Sequence, residues 1–591
     1  MTDHEHTYHH CNRPAIALIT NHGYGGVEIP MGGAPDTGGQ NMYVNALAKA
    51  LDNLGYRVTV FARGGFPGFD NGPMRDQPEY LTPHVRYVYI PGGGDSFIRK
   101  EDIALALDEE VEWLERFIES ESAGLGVKPW QQYELINTHY WDAAVMGVRL
   151  IERWRDDIAM EAIAKIVEGA VPSKVIDQLH AQRHNRSVGA DPGHAIGRLL
   201  IDAHAAPNAP LDDTLHKAAD ALVKARSIPN HLAVELTNAI RTEAGYAEEK
   251  VHHAVRPTWM AACFGEAVLL VLEDFEAAMT DQLCFADRHC WTPHSLGELK
   301  DANYQGRPVD VRRDLKFCER RSHERMVCDR TPAFASTSPE ISERLCTQYG
   351  VLAEHIAFFP PCLDTELFRP YEGDELDGTY RYLAETTGLA EGDIRGARVV
   401  FEASRMDETK RKDLLLSAFE RVLDDHPKTY CFIGGGPTNG VFDALQAQIN
   451  ASDRLKGRAF LLRPVPDEHI GKMFALADVY GTASEMEGFG MSASQAAVAR
   501  TAVVGSDLVP YCVDFAGGDA VVFPAGDAGA MAEAISGLLS DDNDREQRAI
   551  RLEAGARLLN WESAATDLLS RLRSQGFDIA QGLTEPAGAA T

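Results

Sequence analysis

The chain reads Gly32-Gly33-Ala34-Pro35-Asp36-Thr37-Gly38-Gly39-Gln40 between two segments of different periodicity. The segment before it, Ala15-Ile16-Ala17-Leu18-Ile19, is continuously apolar and predicts a buried strand. The segment after it, residues 44–51, has its apolar residues at helical spacing. Paired glycines at such a strand-to-helix turn leave backbone N–H groups free beside a helix N-terminus, and this geometry favours a phosphate. A plain chain reversal explains the same glycines equally well, so the assignment depends on other motifs.

Length and composition narrow the classes of protein. The chain has 591 residues, which predicts more than one domain because single cores rarely grow past about 250–300 residues. The formal charge of −31 argues against nucleic acid as a partner. Ten cysteines without CxxC spacing indicate a reduced, cytoplasmic chain. No apolar run is long enough to span a bilayer, so no membrane association is expected.

Residues 14–370 are predicted to form a first α/β domain. Strand-like runs at 57–61, 85–90 and 134–138 alternate with helix-like segments, and this rhythm predicts a doubly wound parallel sheet. Ligands of such sheets lie beyond the carboxyl ends of the strands. Gly38, Gly39 and His139 are therefore expected to face one crevice.

Residues 155–285 differ, because helix-like segments and prolines replace the strands. We interpret this region as a helical insertion in the first domain that shapes access of a substrate or mediates homo-oligomerisation. Its His204, His252 and His253 are expected to be surface or capping residues rather than metal ligands. The N-terminal histidines at positions 4, 6, 9 and 10 are expected to lie in a disordered, solvated tail.

Residues 393–560 are predicted to form a second domain of the same kind. Its strand candidates are 398–402, 429–433, 459–462, 479–481 and 502–505. The polar residues 371–396 are predicted to be a linker or hinge, 561–575 a C-terminal helix, and 576–591 a frayed tail.

Three motifs of the second domain carry chemistry. Arg405 and Lys410 follow a strand and can clamp a diphosphate, although a solvated basic turn fits the same residues. Gly435 lies in a triple glycine that permits close approach of a nucleotide, or only a tight turn. The loop from Glu485 to Gln495 offers a carboxylate for sugar hydroxyls and free N–H groups at a helix start, or simply an acidic first turn that suits the helix dipole.

These motifs occur in one order that resembles a known family. They are Asp36-Thr37-Gly38-Gly39-Gln40, Ile98-Arg99-Lys100-Glu101, Thr138-His139-Tyr140, His294-Ser295-Leu296-Gly297, Ser404-Arg405 with Lys410, and Glu487-Gly488-Phe489-Gly490. Together they resemble the retaining glycosyltransferases of the sucrose-phosphate synthase and sucrose synthase group, in glycosyltransferase family 4. The resemblance covers about residues 14–150 and 288–575, with Asn560-Trp561-Glu562 at its end. It implies a GT-B fold, with two Rossmann-like domains facing a cleft.

The resemblance also implies roles for individual residues. The catalytic set is His139 beside the transferred hexose, Arg405 and Lys410 on the nucleotide diphosphate, and Glu487 on hexose hydroxyls. The donor-binding set is Gly38, Gly39, Phe489, Gly490, Met491 and Gln495, to which the interpretation of the triple glycine adds Gly435. The acceptor-binding set is Gln40, Lys100, Lys300 and Arg320. No metal and no cofactor are implied, and the partners are a small sugar donor, a UDP-, ADP- or GDP-hexose, and a small acceptor.

Gln495 departs from the family pattern, because the family has a second carboxylate there that holds ribose hydroxyls. Glutamine still donates and accepts hydrogen bonds, so nucleotide binding is expected to survive with altered strength or nucleotide preference.

No protein carboxylate is placed as a nucleophile, unlike in a retaining glycosidase with two carboxylates. The implied mechanism is same-face attack, in which a phosphate oxygen of the donor takes the proton of the acceptor.

The leading hypothesis is transfer of a hexose, taken to be glucose, to a phosphorylated sugar such as fructose 6-phosphate, because Lys100 and Lys300 match basic positions. One alternative is an unphosphorylated acceptor (fructose, a polyol or glycerate) in compatible-solute synthesis. Another is a binding protein for nucleotide sugars without turnover. A nucleotide-dependent oxidoreductase is disfavoured, because no G-x-G-x-x-G with a following acidic residue ends a strand.

Overall fold

A computed structural model describes residues 3–30, 34–181, 192–206, 211–228, 264–270, 272, 277, 288–304, 309–436 and 440–583. It contains two α/β domains, each built on a largely parallel sheet. The predicted histidines 252 and 253 and glycines 32 and 33 lie outside the described residues.

The first sheet has eight described strands: β1 Ala15–Thr20, β2 Arg57–Gly64, β3 Glu79–Thr82, β4 Val85–Pro91, β5 Leu135–His139, β6 His289–Thr292, β7 Ala333–Ser336 and β8 Ile356–Phe358. Their order is β3-β4-β2-β1-β5-β6-β7-β8, and only the β3–β4 pair is antiparallel. All six residues of β1 are buried, as expected for a central parallel strand that is covered on both faces. The order reverses between β1 and β5, where Thr20 is paired with His139.

The second sheet has six described strands: β9 Arg398–Ala403, β10 Thr429–Gly434, β11 Ala459–Leu462, β12 Val479–Thr482, β13 Ala502–Ser506 and β14 Val521–Phe523. Their order is β11-β10-β9-β12-β13-β14, and every pairing is parallel. This is the doubly wound order in which the chain reverses direction beside its first strand. The reversal lies between β9 and β12, so the loops after these two strands meet.

Helices cover both sheets. In the first half of the chain they are Asp3–His10, Gly39–Asn53, Leu107–Leu125, Tyr140–Val167, Ser173–Ala181, Pro192–His204, Leu211–Arg226, Gly297–Asn303, Val309–Asp314, Phe317–Arg330 and Pro339–Tyr349. In the second half they are Asp377–Thr387, Glu391–Arg395, Lys412–Asp425, Gly440–Ala451, Asp467–Leu476, Met491–Val498, Ala528–Ser540, Asp542–Ala556 and Trp561–Ser574. The predicted architecture of two Rossmann-like domains is confirmed.

The insertion is helical where it is described. The Tyr140–Val167 helix begins beside β5 and runs out of the first domain into the insertion, where Ile163 and Val167 pack with residues of the later helices such as Leu200 and Leu215. These residues form a small apolar cluster separate from that around the first sheet. His204 donates from Nε2 to the carbonyl oxygen of Ala170 at 2.8 Å, just beyond the end of the Tyr140–Val167 helix.

Two segments that were predicted to be irregular, the N-terminal histidines and residues 371–396, are ordered instead. The N-terminal histidines lie on the Asp3–His10 helix, because Tyr8 is buried and its hydroxyl lies 2.5 Å from Thr59 Oγ1. The predicted linker 371–396 is mostly helical, and Leu383 and Ile394 pack in the core of the second domain. The apolar residues among these polar segments are few, but they are buried, and this burial holds each helix in place.

The C-terminal segment crosses back to the first domain. Asn560 caps the Trp561–Ser574 helix by accepting from the Ser563 N–H at 3.0 Å, and the helix packs against Gly39–Asn53. The prediction of a frayed tail is wrong for residues 576–583, because Phe577 and Ile579 are buried in the first domain. Residues 584–591 lie outside the described residues.

Candidate active site

The donor-side loops meet where the second sheet reverses. Lys410, in the loop after β9, lies 2.5 Å from Glu487 Oε1 in the loop after β12. The Glu485 N–H donates to the carbonyl oxygen of Thr409 at 2.9 Å, which joins the two loops through the backbone. Arg405 is exposed at the same edge and makes no ion pair with any described residue. Of the two cations predicted to clamp a diphosphate, Lys410 is therefore paired, and Arg405 has no ion-pair partner among the described residues.

Glycine is required at two positions of this edge. At Gly435, with φ +145°, a Cβ atom would lie 1.9 Å from the carbonyl oxygen of Ser404, so no side chain fits. At Gly490, with φ +103°, a Cβ atom would lie 2.7 Å from Val509 Cγ1. The two glycines therefore let neighbouring loops of the second domain pack closely against each other at this edge.

Gly490 also precedes the Met491–Val498 helix, whose start has no side-chain cap. The first N–H groups of that helix are therefore free to meet an anion. Phe489 is buried against Tyr511, whereas Met491 and Gln495 are partly buried at the first turns of the helix. The predicted donor-binding residues of this loop thus lie together around one helix start.

The first domain also has glycines at the start of a helix, in the connection that follows β1. Gly38 and Gly39 open the Gly39–Asn53 helix, and a Cβ atom on either would meet nothing within 4 Å. Gln40 donates from Nε2 to Thr20 Oγ1 at 3.1 Å and so anchors the helix start to the end of β1. The open space at the two glycines fits close approach of a ligand to the backbone.

Lys100 is an ion-paired residue. Its ammonium contacts the Asp36 carboxylate, and its backbone N–H donates to Asp36 Oδ2 at 2.9 Å. Burial lowers the pKa of Lys100, but the charge of Asp36, the neighbouring Tyr140 and the hydrogen bond to Asp36 together outweigh burial, so the net pKa is raised. The contact joins the loop after β4 to the glycine-rich loop.

His139, the last residue of β5, is fully buried. Its Nδ1 lies 3.1 Å from Nε2 of His294, and its own Nε2 has no hydrogen-bond partner among the described residues. Burial lowers the pKa of His139 to about 3, so the ring is neutral at physiological pH. Tyr140, the next residue, has φ +75°, a strained conformation for a bulky side chain, as found at functional sites.

Lys300 is the most unusual charged residue of the site. It lies on the Gly297–Asn303 helix, is partly buried, and makes no ion pair with any residue in the described ranges. Burial, and then the like charges of neighbouring cations, lower its pKa to about 8. Those cations come from both domains: Arg320 and Lys100 from the first, and Arg405 and Lys410 from the second. The two domains therefore face each other across a concentration of positive charge.

Arg320 belongs to this cluster, but its donors already have partners. Its Nε donates to Glu324 at 2.8 Å, Nη1 to the Tyr140 hydroxyl at 2.6 Å, and Nη2 to the Ser295 carbonyl oxygen at 2.6 Å. Arg320 thus connects the strained Tyr140 to the His294-Ser295 loop. Direct binding of an acceptor, as predicted for Arg320, stays a prediction.

Sequence reasoning missed two partners in the site. Asp36 and His294 stand in the quoted motifs, but neither was assigned a role, and each contacts a predicted site residue. Charge spacing could not have found the Asp36–Lys100 pair, which spans 64 positions.

Among the described residues, no three His, Cys, Asp or Glu side chains are grouped so as to hold a metal ion. No helix within the described ranges has the length and apolar character to cross a membrane.

The sequence is similar to those of known glycosyltransferases. Residues 391–553 match the family Glycosyl transferases group 1. Mannosylfructose-phosphate synthase of Agrobacterium fabrum is 24% identical over 503 residues, which cover 83% of this chain and 76% of that protein. A D-inositol 3-phosphate glycosyltransferase of Corynebacterium urealyticum is 27% identical over 329 residues, 53% of this chain and 74% of that protein.

Solved structures show the same fold. Sucrose-phosphate synthase from Thermosynechococcus elongatus superposes with a TM-score of 0.57 at 18% identity, over 95% of this chain and 99% of that one. Anabaena HepE, solved with UDP-glucose, superposes with a TM-score of 0.50 at 12% identity, over 94% and 99%. The chain therefore has the GT-B fold, and its second domain is similar to group 1 glycosyltransferases.

Proposed function

We propose that this chain is a retaining hexosyltransferase that moves glucose from a nucleotide sugar to a small phosphorylated sugar. The observation that carries the proposal is Lys300, a partly buried lysine with no ion pair in the described part of the chain, among four other cations. A charge in this position is unfavourable unless an anion joins it. A substrate phosphate supplies that anion.

The charges divide between two substrates. Arg405 and Lys410 lie at the carboxyl edge of the second sheet and suit the diphosphate of a donor. Lys300 and Lys100 lie in the first domain and suit the phosphate of an acceptor. The names of two similar proteins, mannosylfructose-phosphate synthase and sucrose-phosphate synthase, both denote phosphorylated sugars and support this division.

The chemistry follows from this placement. The acceptor hydroxyl attacks C1 of the hexose as the bond from C1 to the phosphate oxygen breaks, and the departing phosphate oxygen takes the hydroxyl proton. Arg405 and Lys410 stabilise the negative charge that builds on the leaving group. Glu487 accepts from hexose hydroxyls and holds the hexose in line, and His139 contacts it from the first domain. Gln495 accepts from or donates to the ribose.

Product analysis tests the proposal. UDP-, ADP- and GDP-hexoses are each mixed with fructose 6-phosphate, fructose, glycerol or glycerate, and release of nucleoside diphosphate is measured. We expect release to be fastest with a phosphorylated acceptor and slower, but measurable, with fructose, and NMR of the product should show the anomeric configuration of the donor. An inverted product contradicts the retaining mechanism. Binding of nucleotide without release in any mixture contradicts the transferase and favours a binding protein.

One observation favours an unphosphorylated acceptor as the second candidate. Lys100 already forms an ion pair with Asp36. Of the two lysines assigned to an acceptor phosphate, only Lys300 therefore has no ion-pair partner among the described residues. Under this alternative, release is fastest with fructose, a polyol or glycerate, and Lys100→Met lowers kcat/KM for all acceptors alike, because it breaks the contact with Asp36 but removes no substrate ligand. A loss in that variant that is confined to the phosphorylated acceptor excludes the alternative.

A further inference from the structure

Two histidine rings lie side by side where neighbouring strands end. His139 ends β5, and His294 follows β6 by two residues. Their ring centroids are 5.4 Å apart with an interplanar angle of 24°, and His139 Nδ1 lies 3.1 Å from His294 Nε2. Because β5 and β6 are paired, with His139 opposite Thr292, the sheet fixes this arrangement.

The pair is uncharged. Burial lowers the pKa of His139 to about 3, and burial, followed by the neighbouring His139 and His22, holds the pKa of His294 well below its usual value. The titratable groups that face the rings are His22, 3.1 Å from Asp142, and Tyr43, whose ring centroid lies 4.7 Å from that of His294. The Tyr43 hydroxyl donates to the carbonyl oxygen of Phe359, so it is already committed.

A neutral imidazole carries one N–H and one lone pair. The contact between the two rings therefore requires one donor and one acceptor. When His294 Nε2–H donates, His139 must carry its proton on Nε2; when His294 accepts, the proton is on His139 Nδ1 and Nε2 offers a lone pair. That Nε2 atom is buried without a partner among the described residues, which is unfavourable unless a ligand atom joins it.

We propose that His294 is a positioning residue that shares one proton with His139, fixes the plane of its ring, and lets its Nε2 act as donor or acceptor toward a hexose hydroxyl. This inference rests on the proposed transferase function only in naming the hydroxyl. The proton arrangement itself is a property of the chain alone. A substrate hydroxyl can then either donate a hydrogen bond to His139 Nε2 or accept one from it. In both cases the two histidine rings stay neutral.

Three substitutions of His294 distinguish between a proton on Nδ1 and a proton on Nε2 of His139. His294→Gln places an amide near the original Nε2 and can donate or accept, His294→Glu only accepts when ionised, and His294→Ala does neither. We expect kcat/KM to stay within about threefold in H294Q and to fall about tenfold in H294A, the equivalent of one strong hydrogen bond. H294E should create an acid-sensitive limb near neutral pH, because a carboxylate raises the pKa of His139. Equal losses in H294Q and H294A would overturn the proposal.

Nitrogen NMR of the histidine rings tests the pair without turnover. In the unmodified chain, both rings should stay neutral from pH 5 to 8, whereas H294E should move the His139 proton to Nδ1 and make the ring titrate. His289 is the internal reference, because it is buried with its nitrogens 2.9 Å from Thr138 Oγ1 and 3.2 Å from Thr331 Oγ1 and should not change. His139 signals that are unchanged in H294E contradict the pair, even if the transferase assignment is correct.

Affinity for a nucleoside diphosphate is the second control. Arg405 and Lys410 are unaltered in all three variants, so the dissociation constant for UDP, ADP or GDP should change less than about twofold. A parallel loss of this affinity would show that the substitutions disturb the whole cleft, and would also overturn a specific role for His294.

Discussion

Lys412 and Lys300 are both withdrawn from solvent, but only one has a carboxylate partner. Lys412 is 2% exposed, and its ammonium contacts Glu402 and donates to the Gly434 carbonyl oxygen at 3.2 Å. Lys300 is partly buried, and among the described residues it has no carboxylate partner. The paired lysine joins the ends of β9 and β10, whereas the unpaired one faces cations of both domains. The comparison indicates that the ammonium of Lys412 stabilises the fold, whereas the ammonium of Lys300 is available to bind an anionic ligand.

The largest effect is expected from breaking the Lys412–Glu402 pair. Lys412→Met leaves the Glu402 carboxylate buried without its cation, and such a loss destabilises a protein by about 3–5 kcal/mol. Urea unfolding should show a lower midpoint for the second domain. The double variant K412M/E402M should recover most of the loss, because no uncompensated charge remains. Equal stability of the single variant and the unmodified chain would contradict the structural role of this pair.

The next effect is a pH dependence at Lys300. Its pKa of about 8 means that the ammonium is protonated below that pH and loses its proton above it. The KM for a phosphorylated acceptor should therefore be flat below about pH 8 and rise up to tenfold per unit above it. Steady-state kinetics between pH 6.5 and 9.5 checks this, with the KM for fructose as control. A phosphorylated acceptor with a KM that does not depend on pH argues against Lys300 as its ligand.

The third prediction concerns stability and has the opposite sign to that for Lys412. Lys300→Met removes a repelled charge, so the protein should be more stable by about 1–3 kcal/mol at pH 7. The folded pKa of about 8 lies below the ordinary lysine value of 10.5, so the gain should be full below pH 8 and fade towards 10.5. Thermal unfolding at pH 7 and pH 10 measures both points. Destabilisation at pH 7 would indicate a partner for Lys300 and would remove the contrast with Lys412.

The smallest effect is expected at Gln495. Replacing it by glutamate supplies the carboxylate that the resemblance implies for ribose hydroxyls, and a charged acceptor forms a stronger hydrogen bond. Affinity for the nucleoside diphosphate should rise about two- to tenfold in Q495E, as measured by calorimetry. Glu533→Gln, on the outer Ala528–Ser540 helix, serves as a control for the change of charge. Weaker binding in Q495E would place residue 495 near the phosphates instead.

Most of the fold could be predicted from the sequence, because the central strands are apolar and bounded by turns. β11 was predicted with its observed bounds, Ala459–Leu462. β3 was missed because Glu79–Thr82 is a partly exposed antiparallel edge strand without an apolar run. β6 was missed because His289-Cys290-Trp291-Thr292 is short and begins with a histidine, although all four residues are buried.

The site could be predicted only in part, because its charges depend on tertiary structure. Lys410 and Glu487 were singled out separately, but their contact spans 77 positions and requires β9 to lie beside β12. Lys410 and Lys412 stand in one basic run, and nothing in that run shows that one faces Glu487 and the other Glu402. The absence of a carboxylate partner for Lys300 in the described residues depends on how two domains pack, which local sequence does not encode.

The most direct test of the account compares fructose 6-phosphate with fructose as acceptor in the Lys300→Met variant. If Lys300 binds the acceptor phosphate, kcat/KM for fructose 6-phosphate should fall about 10- to 100-fold, the loss expected for a charged hydrogen bond, while kcat/KM for fructose stays within about threefold. An equal fall with both acceptors, or no fall with either, would contradict the claim that this lysine awaits a substrate phosphate.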